Sequence, residues 1–445
     1  MPSPDSASPR SGQELYARAK RIIPGGTQLL SKRPEMFLPD NWPAYYSRAQ
    51  GCHVWDLDGR QLTDFTSCGV GSCLLGYADE TVNAAVIDRI SRGSMCTLNT
   101  PDEVALAETL CALHPWAQQV RYARAGGEAM SVAVRIARSA TGRSKVAFCG
   151  YHGWADWYVA ANLGETAALD GHLLPGLSPA GVPAELRGTA LPFRYNQLAE
   201  LEAILAGHRG EIAAIVMEPM RYDPPQDGFL HKVRKLADEA KIVLIFDEIT
   251  SGWRSHHGGI HLTLGVAPDI AVFAKSLSNG FPMAAVIGRE QVLESAQRSL
   301  ISSTYWTEGV GPAAALATLA RLDSAQAPTQ IKRIGELTRA GWKAAAEQAG
   351  LAVKVGGIPA LCNFSFDHGE LNRPLMTLFT QGMLERGFLA NGVFYPTLAH
   401  RPETVAHYLE NVREVFGGLA TCLAQGTVEQ SLRGPVAHSG FARLT

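Results

Sequence analysis

The chain has 445 residues, 46% of them hydrophobic, and its 40 basic and 42 acidic residues leave a formal net charge of −2. This length and this hydrophobic fraction predict two or three domains with packed cores. The balanced charge argues against a nucleic-acid or membrane-surface partner, since either would favour a basic excess on one face. No apolar run approaches the roughly 20 residues that a membrane span needs.

The N-terminal segment lacks the apolar stretch of a signal peptide, and we expect residues 1–12 to form a disordered tail. A helical pattern over residues 14–21 ends at Pro24-Gly25-Gly26, and a hairpin pattern turns at Asp58-Gly59. We assign residues 13–66 to a small domain. Eight cysteines are scattered without a Cys-x-x-Cys pair, which favours reduced thiols in a cytoplasm.

Short apolar runs alternate with helical patterns between about residues 100 and 290. The runs at 145–148, 212–217, 242–246 and 270–273 predict strands that are buried on both faces. Helical patterns lie between them at 101–113, 128–138 and 229–240. This alternation predicts an α/β domain with a mostly parallel sheet flanked by helices, which we assign to residues 67–325. Helices and isolated strands beyond it predict a smaller α+β domain over residues 326–445.

Two charged residues follow strands of the predicted sheet. Asp247 comes directly after the run 242–246, and Lys275 follows the run 270–273. Ligands of such sheets bind at the carboxyl ends of the strands, and burial lowers the pKa of a lysine until its amine can attack a carbonyl. Taken alone, Asp247 could simply cap a helix, and Lys275 could simply extend into solvent. The pair predicts pyridoxal 5′-phosphate (PLP), which needs a lysine on its aldehyde and a carboxylate on its ring nitrogen.

Two further motifs suit the same cofactor. Gly126 and Gly127 open a strong helical pattern, and backbone N–H groups at a helix N-terminus attract phosphate. Tyr151-His152-Gly153-Trp154 follows the run 145–148 and supplies rings that could stack on a pyridine. An ordinary turn and core packing are the simpler explanations, so neither motif is specific alone.

The order and spacing of these motifs resemble the class III aminotransferases. The matching segments are Gly126-Gly127-Glu128-Ala129, Tyr151-His152-Gly153, Glu218-Pro219, Asp247-Glu248-x-x-x-Gly252-x-Arg254 and Lys275. Within that family the chain looks most like the glutamate-1-semialdehyde 2,1-aminomutase group, because Pro24-Gly25-Gly26 and Thr141-Gly142-Arg143 also match. The resemblance extends from about residue 14 to about residue 420.

The resemblance implies the type I PLP fold, in which the small domain is built from both chain ends, and a homodimer with shared active sites. It also implies that Lys275 forms the aldimine with PLP and that Asp247 pairs with the ring nitrogen. The expected activity is an aminotransferase or aminomutase reaction. An amino group would pass from a small-molecule donor to a carbonyl acceptor through pyridoxamine phosphate.

The resemblance assigns cofactor-binding roles to other residues as well. These are Gly126 and Gly127 for the phosphate, Thr304 of the partner subunit for the same phosphate, Tyr151 and Ile249 for the two ring faces, Glu218 near the ring hydroxyl, and His152. Three segments depart from the family pattern. The phosphate loop at 124–129 lacks two hydroxyls, residues 303–308 replace a Gly-Thr-x-x-Gly-Asn-Pro motif, and residues 27–33 lack a substrate-binding Ser and Arg. We therefore expect the phosphate to rely on backbone amides and the substrate to differ from glutamate semialdehyde.

Other functions remain open from the sequence. A racemase or epimerase would use the same lysine and electron sink, and a non-catalytic relative would bind PLP or a sugar phosphate. Ser276 or Ser278 beside Lys275 would suit a Ser–Lys hydrolase, although Asp247 would then have no role. The histidines of the segment 256–261 suggest a metal site, but they lack a helix-spaced carboxylate, and no metal is expected.

Overall fold

The computed structural model describes residues 10–165, 167–172 and 175–440. Its strands are β1 (Tyr46–Gln50), β2 (His53–Asp56), β3 (Gln61–Phe65), β4 (Gln119–Ala123), β5 (Lys145–Cys149), β6 (Ala190–Pro192), β7 (Ile212–Met217), β8 (Val243–Asp247), β9 (Ile270–Phe273), β10 (Ala284–Gly288), β11 (Val353–Gly356), β12 (Cys362–Phe366), β13 (Phe388–Ala390) and β14 (Val393–Phe394).

The α-helices, in chain order, are α1 (Ser11–Ile22), α2 (Glu80–Ser91), α3 (Pro101–Leu113), α4 (Gly126–Thr141), α5 (Asp156–Val159), α6 (Ala161–Gly164), α7 (Leu198–Gly207), α8 (Phe229–Ala240), α9 (His261–Leu264), α10 (Glu290–Leu293), α11 (Val310–Ser324), α12 (Ala327–Ala349), α13 (Asn372–Glu385) and α14 (Pro402–Gln425). Among the described residues, no helix is both long and apolar enough to cross a membrane.

A seven-stranded sheet forms the larger layered unit, in the strand order β4-β10-β9-β8-β7-β5-β6. Strand β10 runs antiparallel to both of its neighbours, and every other neighbouring pair is parallel. In β9, Ile270 and Val272 pack into the cluster that contains α4. Ala271 and Phe273 point to the opposite face, toward residues of α2, α3 and α11. The apolar runs are buried on both faces because helices cover both, so the predicted mostly parallel α/β sheet is confirmed.

Two smaller sheets lie outside this unit. One has the order β1-β2-β3-β13, and the other has the order β11-β12-β14. Strand β3 pairs in parallel with β13, so that Asp64 lies opposite Leu389. Segments from both chain ends therefore share one sheet, as the type I PLP fold requires. The predicted hairpin turning at Asp58-Gly59 is also present, as β2 paired antiparallel with β3.

The first helix begins earlier than the sequence predicted. Residues 1–9 of the predicted tail lie outside the described residues, as do residues 441–445 of the predicted C-terminal domain. Helix α1 begins at Ser11, inside the segment that we assigned to the tail. Its Gly12 is buried so closely against the Pro43 carbonyl that a Cβ there would lie 2.2 Å from the oxygen. This packing, which the local sequence does not indicate, fixes the start of the helix.

Candidate active site

Most of the predicted site residues lie at one edge of the seven-stranded sheet, where its parallel strands end. Gly126 and Gly127 follow β4, Tyr151 and His152 follow β5, Glu218 follows β7, Asp247 ends β8, Ile249 comes two residues later, and Lys275 follows β9. This is the edge at which such sheets bind ligands. Thr304 does not follow one of these parallel strands, since it lies in a 3-10 turn (Thr304–Thr307) after the oppositely directed β10.

Lys275 holds a strained and partly buried position. Its backbone φ is +45°, in the left-handed region that residues other than glycine rarely adopt. Its Nζ donates a 2.9 Å hydrogen bond to the hydroxyl of Thr250. Burial, assisted by the nearby guanidinium groups of Arg221 and Arg254, lowers the pKa of this amine to about 8. The neutral, nucleophilic form is therefore accessible near neutral pH.

Asp247 is fixed from two sides at the end of β8. Its Oδ1 accepts a 3.0 Å hydrogen bond from the backbone N–H of Ile249, and its Oδ2 lies 2.8 Å from Nδ1 of His152. The other ring nitrogen of His152 lies 3.0 Å from the carbonyl oxygen of Cys149. These two contacts fix the orientation of the His152 ring against Asp247. Both carboxylate oxygens retain a lone pair for another donor.

The N-terminus of α4 presents free backbone amides. The carboxylate of Glu128 accepts hydrogen bonds from the N–H groups of Arg124 and Ala125, at 2.9 and 3.3 Å. The N–H groups of Gly126 and Gly127 have no acceptor within the described residues. Two N–H groups at the positive end of a 16-residue helix suit an anion.

Three glycines bring the loops around this helix terminus close together. A Cβ at Gly126 would lie 2.9 Å from Cδ1 of Ile249, and a Cβ at Gly153 would lie 3.0 Å from Cα of Gly127. Gly153 also has a φ of +102°, which side-chain-bearing residues rarely adopt. The loops after β4, β5 and β8 therefore meet around one space that larger residues would fill.

Glu218 lies at the same edge, and its side chain is mostly buried. Its two oxygens lie 3.4 and 3.3 Å from Nη1 of Arg221. Burial raises the pKa of this carboxyl, and Arg221 opposes the shift. Lys275 and Asp247 are close enough to act on the same pKa, which places Glu218 within the charge cluster around the lysine.

The structure leaves two predicted contacts untested. Tyr151 is 36% exposed, and its ring meets that of Tyr158 edge to face at a centroid distance of 6.0 Å. Burial raises the pKa of Tyr151, and the charge of Asp247 adds to the shift. The side chain of Thr304 is exposed and makes no hydrogen bond to any residue that the structure describes. The ring contact of Tyr151 and the phosphate contact of Thr304 stay predictions.

Several residues at the site were not predicted. Thr250 accepts the bond from Lys275, and Arg254, only 1% exposed, donates to the carbonyl of Thr250 at 2.7 Å and to that of Gly71. The guanidinium of Arg254 lies 5.4 Å from the ring centre of Tyr395. Thr250 and Arg254 belong to the segment that carries the family motif, so the sequence contained a signal for them. Gly71 and Tyr395 lie far away along the chain, and no local pattern marks them.

The geometry disfavours a Ser–Lys hydrolase. The hydroxyl of Ser276 donates to the carbonyl of Gly252 at 2.7 Å, and that of Ser278 donates to the carbonyl of Phe281. Neither hydroxyl is hydrogen-bonded to Lys275, whose amine is directed to a threonine instead.

Of the histidine segment 256–261, His261 is engaged in hydrogen bonds, whereas Nδ1 of His256 and Nδ1 of His257 have no partner among the described residues. Nδ1 of His261 lies 2.7 Å from a carboxylate oxygen of Glu248, and its Nε2 accepts a 3.1 Å bond from the indole of Trp116. Both ring nitrogens of His261 are therefore occupied. Within the described ranges, no group of three or more potential metal ligands converges.

Comparison with known proteins decides the family. The family model for "Aminotransferase class-III" matches residues 39–416. The chain is 30% identical to 3-aminobutyryl-CoA aminotransferase of Cloacimonas acidaminovorans, over 90% of this chain and 95% of that protein. It is 30% identical to glutamate-1-semialdehyde 2,1-aminomutase of Methanocaldococcus jannaschii, over 92% and 98% of the two chains. The FumI protein of Sphingopyxis sp. MTA144, solved in its PLP internal aldimine form, superposes with a TM-score of 0.83 at 25% identity, covering 93% and 97%.

The chain belongs to the class III aminotransferases. It is a PLP-dependent enzyme of amino-group transfer, as an aminotransferase or an aminomutase, and it has the type I PLP fold. The predictions of family, fold, activity and cofactor are thereby confirmed.

The residues present fit PLP. The unpartnered amides of Gly126 and Gly127 suit its phosphate, and the lone pairs left on Asp247 suit a protonated ring nitrogen. Lys275 supplies an amine of lowered pKa at the same strand edge. The glycine amides, the Asp247 carboxylate and the Lys275 amine are all available to a bound cofactor. Only the hydrogen bond between Lys275 and Thr250 would have to break.

Proposed function

We propose that this enzyme moves amino groups between a small-molecule donor and a carbonyl acceptor at Lys275, with Asp247 and His152 controlling charge at the cofactor ring. The amine of Lys275 carries the proposal. It stands at the end of β9, its pKa is lowered to about 8, and it faces a hydroxyl rather than a carboxylate.

PLP, when bound, supplies an electrophilic carbon and an electron-withdrawing ring. The protein supplies the proton transfers. In its neutral form, the amine of Lys275 would accept a proton from the carbon that bears the donor's amino group, and it would return that proton to the carbon on the other side of the amino nitrogen, as a 1,3-transfer. The hydroxyl of Thr250 accepts a bond from this amine and restricts its direction. Because Lys275 directly follows strand β9, its amine stays close to both carbons during the two proton transfers.

Asp247 holds a proton at the ring nitrogen of the cofactor. A carboxylate does this only while it is ionised, and the contact with Nδ1 of His152 fixes the position of its Oδ2. The bond from Ile249 N–H fixes the carboxylate plane. His152 thus acts through Asp247 as a positioning residue.

The amides of Gly126 and Gly127 would hold the cofactor phosphate, and Ile249 would contact one face of the ring. Two hydroxyls of the family's usual loop are missing here, so these amides carry more of the binding free energy. Tyr151 would contact the other face of the ring, and Glu218 would lie near the ring hydroxyl. The proximity of Gly126 to Ile249 and the shared charge environment of Glu218 and Lys275 support these roles.

The enzyme works as a homodimer in which Thr304 of the partner subunit completes the phosphate site. Exposed apolar side chains support this proposal: Leu98 is 78% exposed, Leu300 84% and Tyr305 71%. Their two segments adjoin, because Gly309 N–H donates a 2.8 Å bond to the carbonyl of Ser94. Large apolar groups left exposed together favour a protein contact.

Covalent attachment of the cofactor tests the proposal. Borohydride reduction of the purified enzyme should fix PLP on Lys275, as peptide mapping would reveal, and the Lys275→Ala variant should show neither attachment nor turnover. Incubation with amino donors should accumulate the aminated cofactor, which a racemase or an epimerase does not accumulate. An adduct on a different lysine would contradict the assignment.

A further inference from the structure

Arg221 has an unused hydrogen-bonding edge beside the active site. It lies three residues after Glu218, and only its Nη1 contacts that carboxylate, at 3.3 and 3.4 Å. Its Nε is buried and has no acceptor within the described residues. Its Nη2 has no hydrogen-bond acceptor within 3.5 Å among them, and the phenol of Tyr395 is the neighbouring hydroxyl close enough to act on the pKa of the guanidinium. Nε and Nη2 form the side edge of the planar guanidinium, where two N–H groups point in parallel.

Arg221 borders a cavity and is linked through neighbouring side chains to the reactive lysine. Arg221 lines a cavity of about 490 Å³, and its guanidinium lies 5.1 Å from the ring centre of Tyr222. The hydroxyl of Tyr222 lies 3.3 Å from that of Tyr395. A Cβ at Gly71 would lie 3.3 Å from the Tyr395 ring and 3.6 Å from Cδ of Lys275. Arg221 and Lys275 are therefore connected by adjacent side chains at one site.

The two guanidinium groups near Lys275 differ in how many of their N–H groups are already hydrogen-bonded. Two guanidinium groups, those of Arg221 and Arg254, act on Lys275. Among the described residues, Glu218 is the one carboxylate within ion-pair distance of either of them. Arg254 has already committed its Nε and Nη2 to backbone carbonyls. Arg221 keeps Nε without an acceptor and bonds to Glu218 through Nη1 alone, so it is the better candidate for the ligand contact.

We propose that Arg221 binds a carboxylate of the substrate through Nε and Nη2, so that the enzyme prefers amino acids and oxo acids to neutral amines and ketones. The inference rests on the proposed function, because it assumes that the substrate's amino or carbonyl carbon reacts at Lys275. A guanidinium fork matches the two oxygens of a carboxylate, and such paired bonds are stronger than single ones. Glu218 stays on Nη1 and holds the guanidinium plane while the carboxylate binds.

Matched substrate pairs test the inference on the PLP-loaded enzyme. Each pair replaces a carboxylate by a methyl group: L-alanine with isopropylamine, 3-aminobutanoate with sec-butylamine, and 4-aminobutanoate with butylamine. The rate of cofactor amination gives kcat/KM for each donor. We expect at least one acid to be preferred over its amine by the wild-type enzyme. In the Arg221→Gln variant this preference should fall by roughly ten- to a hundredfold.

Two control variants separate the fork from general effects. Arg221→Lys keeps a cation beside Glu218 but lacks the planar fork, so it should lose part of the preference. Arg194 also lines the cavity, but its guanidinium pairs with Glu200 at the surface. The Arg194→Gln change should alter the preference by less than about fivefold, as expected for an exposed ion pair.

The outcomes distinguish the inference from the function beneath it. If no donor aminates the wild-type cofactor, the proposed function fails. Two results would contradict the carboxylate contact but leave the proposed function intact. In the first, the wild-type enzyme reacts but prefers every amine to its acid. In the second, Arg221→Gln slows both members of a pair equally. If the Arg221→Gln variant does not fold, inhibition by substrate-like competitors tests the inference instead. Propanoate should inhibit the wild-type enzyme more strongly than propanamide does, and Arg221→Lys should weaken propanoate alone; equal inhibition would overturn the inference.

Discussion

The rate at which the apoenzyme captures PLP should become independent of pH above about pH 8. Only the neutral amine of Lys275 attacks an aldehyde, and burial, assisted by Arg221 and Arg254, lowers its pKa to about 8. At pH 7 such a group is neutral in about one molecule in ten. An ordinary lysine, with a pKa of about 10.4, is neutral in only about four of every ten thousand. The site therefore increases the reactive fraction by roughly 200-fold.

A stopped-flow experiment measures this directly. Enzyme stripped of its cofactor is mixed with excess PLP at a series of pH values from about 6 to about 10. The capture rate should rise about tenfold per pH unit at first and level off near pH 8. Nα-acetyllysine and PLP, mixed in the same buffers, provide the control, and their rate should keep rising toward about pH 10.4. Arg221→Gln removes a cation that opposes protonation of Lys275, so its midpoint should move to higher pH.

One result would refute this reasoning. If the enzyme's rate still rises about tenfold per unit between pH 9 and pH 10, then Lys275 titrates as an ordinary exposed lysine. Burial and the two arginines would then have no effect on its reactivity. If the pH midpoint of PLP capture is the same in Arg221→Gln as in the wild type, burial would still explain the lowered pKa of Lys275, but Arg221 would not contribute to it.

Three further predictions follow from the site geometry. Asp247→Asn should still bind PLP but lose at least about a hundredfold in kcat, and near-normal turnover would be incompatible with its role. Mixing the inactive Lys275→Ala and Thr304→Val proteins should restore part of the activity, since hybrid dimers contain one intact site. No recovery, despite proven subunit exchange, would mean that Thr304 does not serve the partner. Gly126→Ala places a Cβ 2.9 Å from Ile249 and should weaken PLP binding roughly tenfold. Adding Ile249→Val should restore part of the affinity, and no rescue would contradict the steric explanation.

The sequence predicted those parts of the site that depend on a single strand and the residue after it. Lys275 and Asp247 each follow a continuous apolar run, and a parallel sheet brings the ends of such runs to one edge. The glycines at the start of α4 were predictable for the same reason, because a helix N-terminus binds anions wherever it occurs. These local signals were sufficient for the fold class and the cofactor.

The remaining contacts depend on segments that are distant along the chain. Nothing beside Tyr395 indicates that its hydroxyl meets that of Tyr222, since the contact exists only after the C-terminal segment has packed against the large sheet. The contact between His152 and Asp247 depends on the distance between two loops. Thr304 remains a prediction because its expected ligand belongs to the site of another subunit.

The pairing of β3 with β13 sets an order for folding during synthesis. All seven strands of the large sheet have been made once Gly288 emerges, so the edge that carries Lys275 can form early. Strand β3 must wait for Phe388, near the other end of the chain, and ribosomes add only about 5–20 residues per second. For many seconds the nascent chain therefore presents an unpaired strand edge, which is prone to mispairing with other chains. Slow translation or truncation before β13 should make this N-terminal hairpin, rather than the cofactor edge, the first point of aggregation.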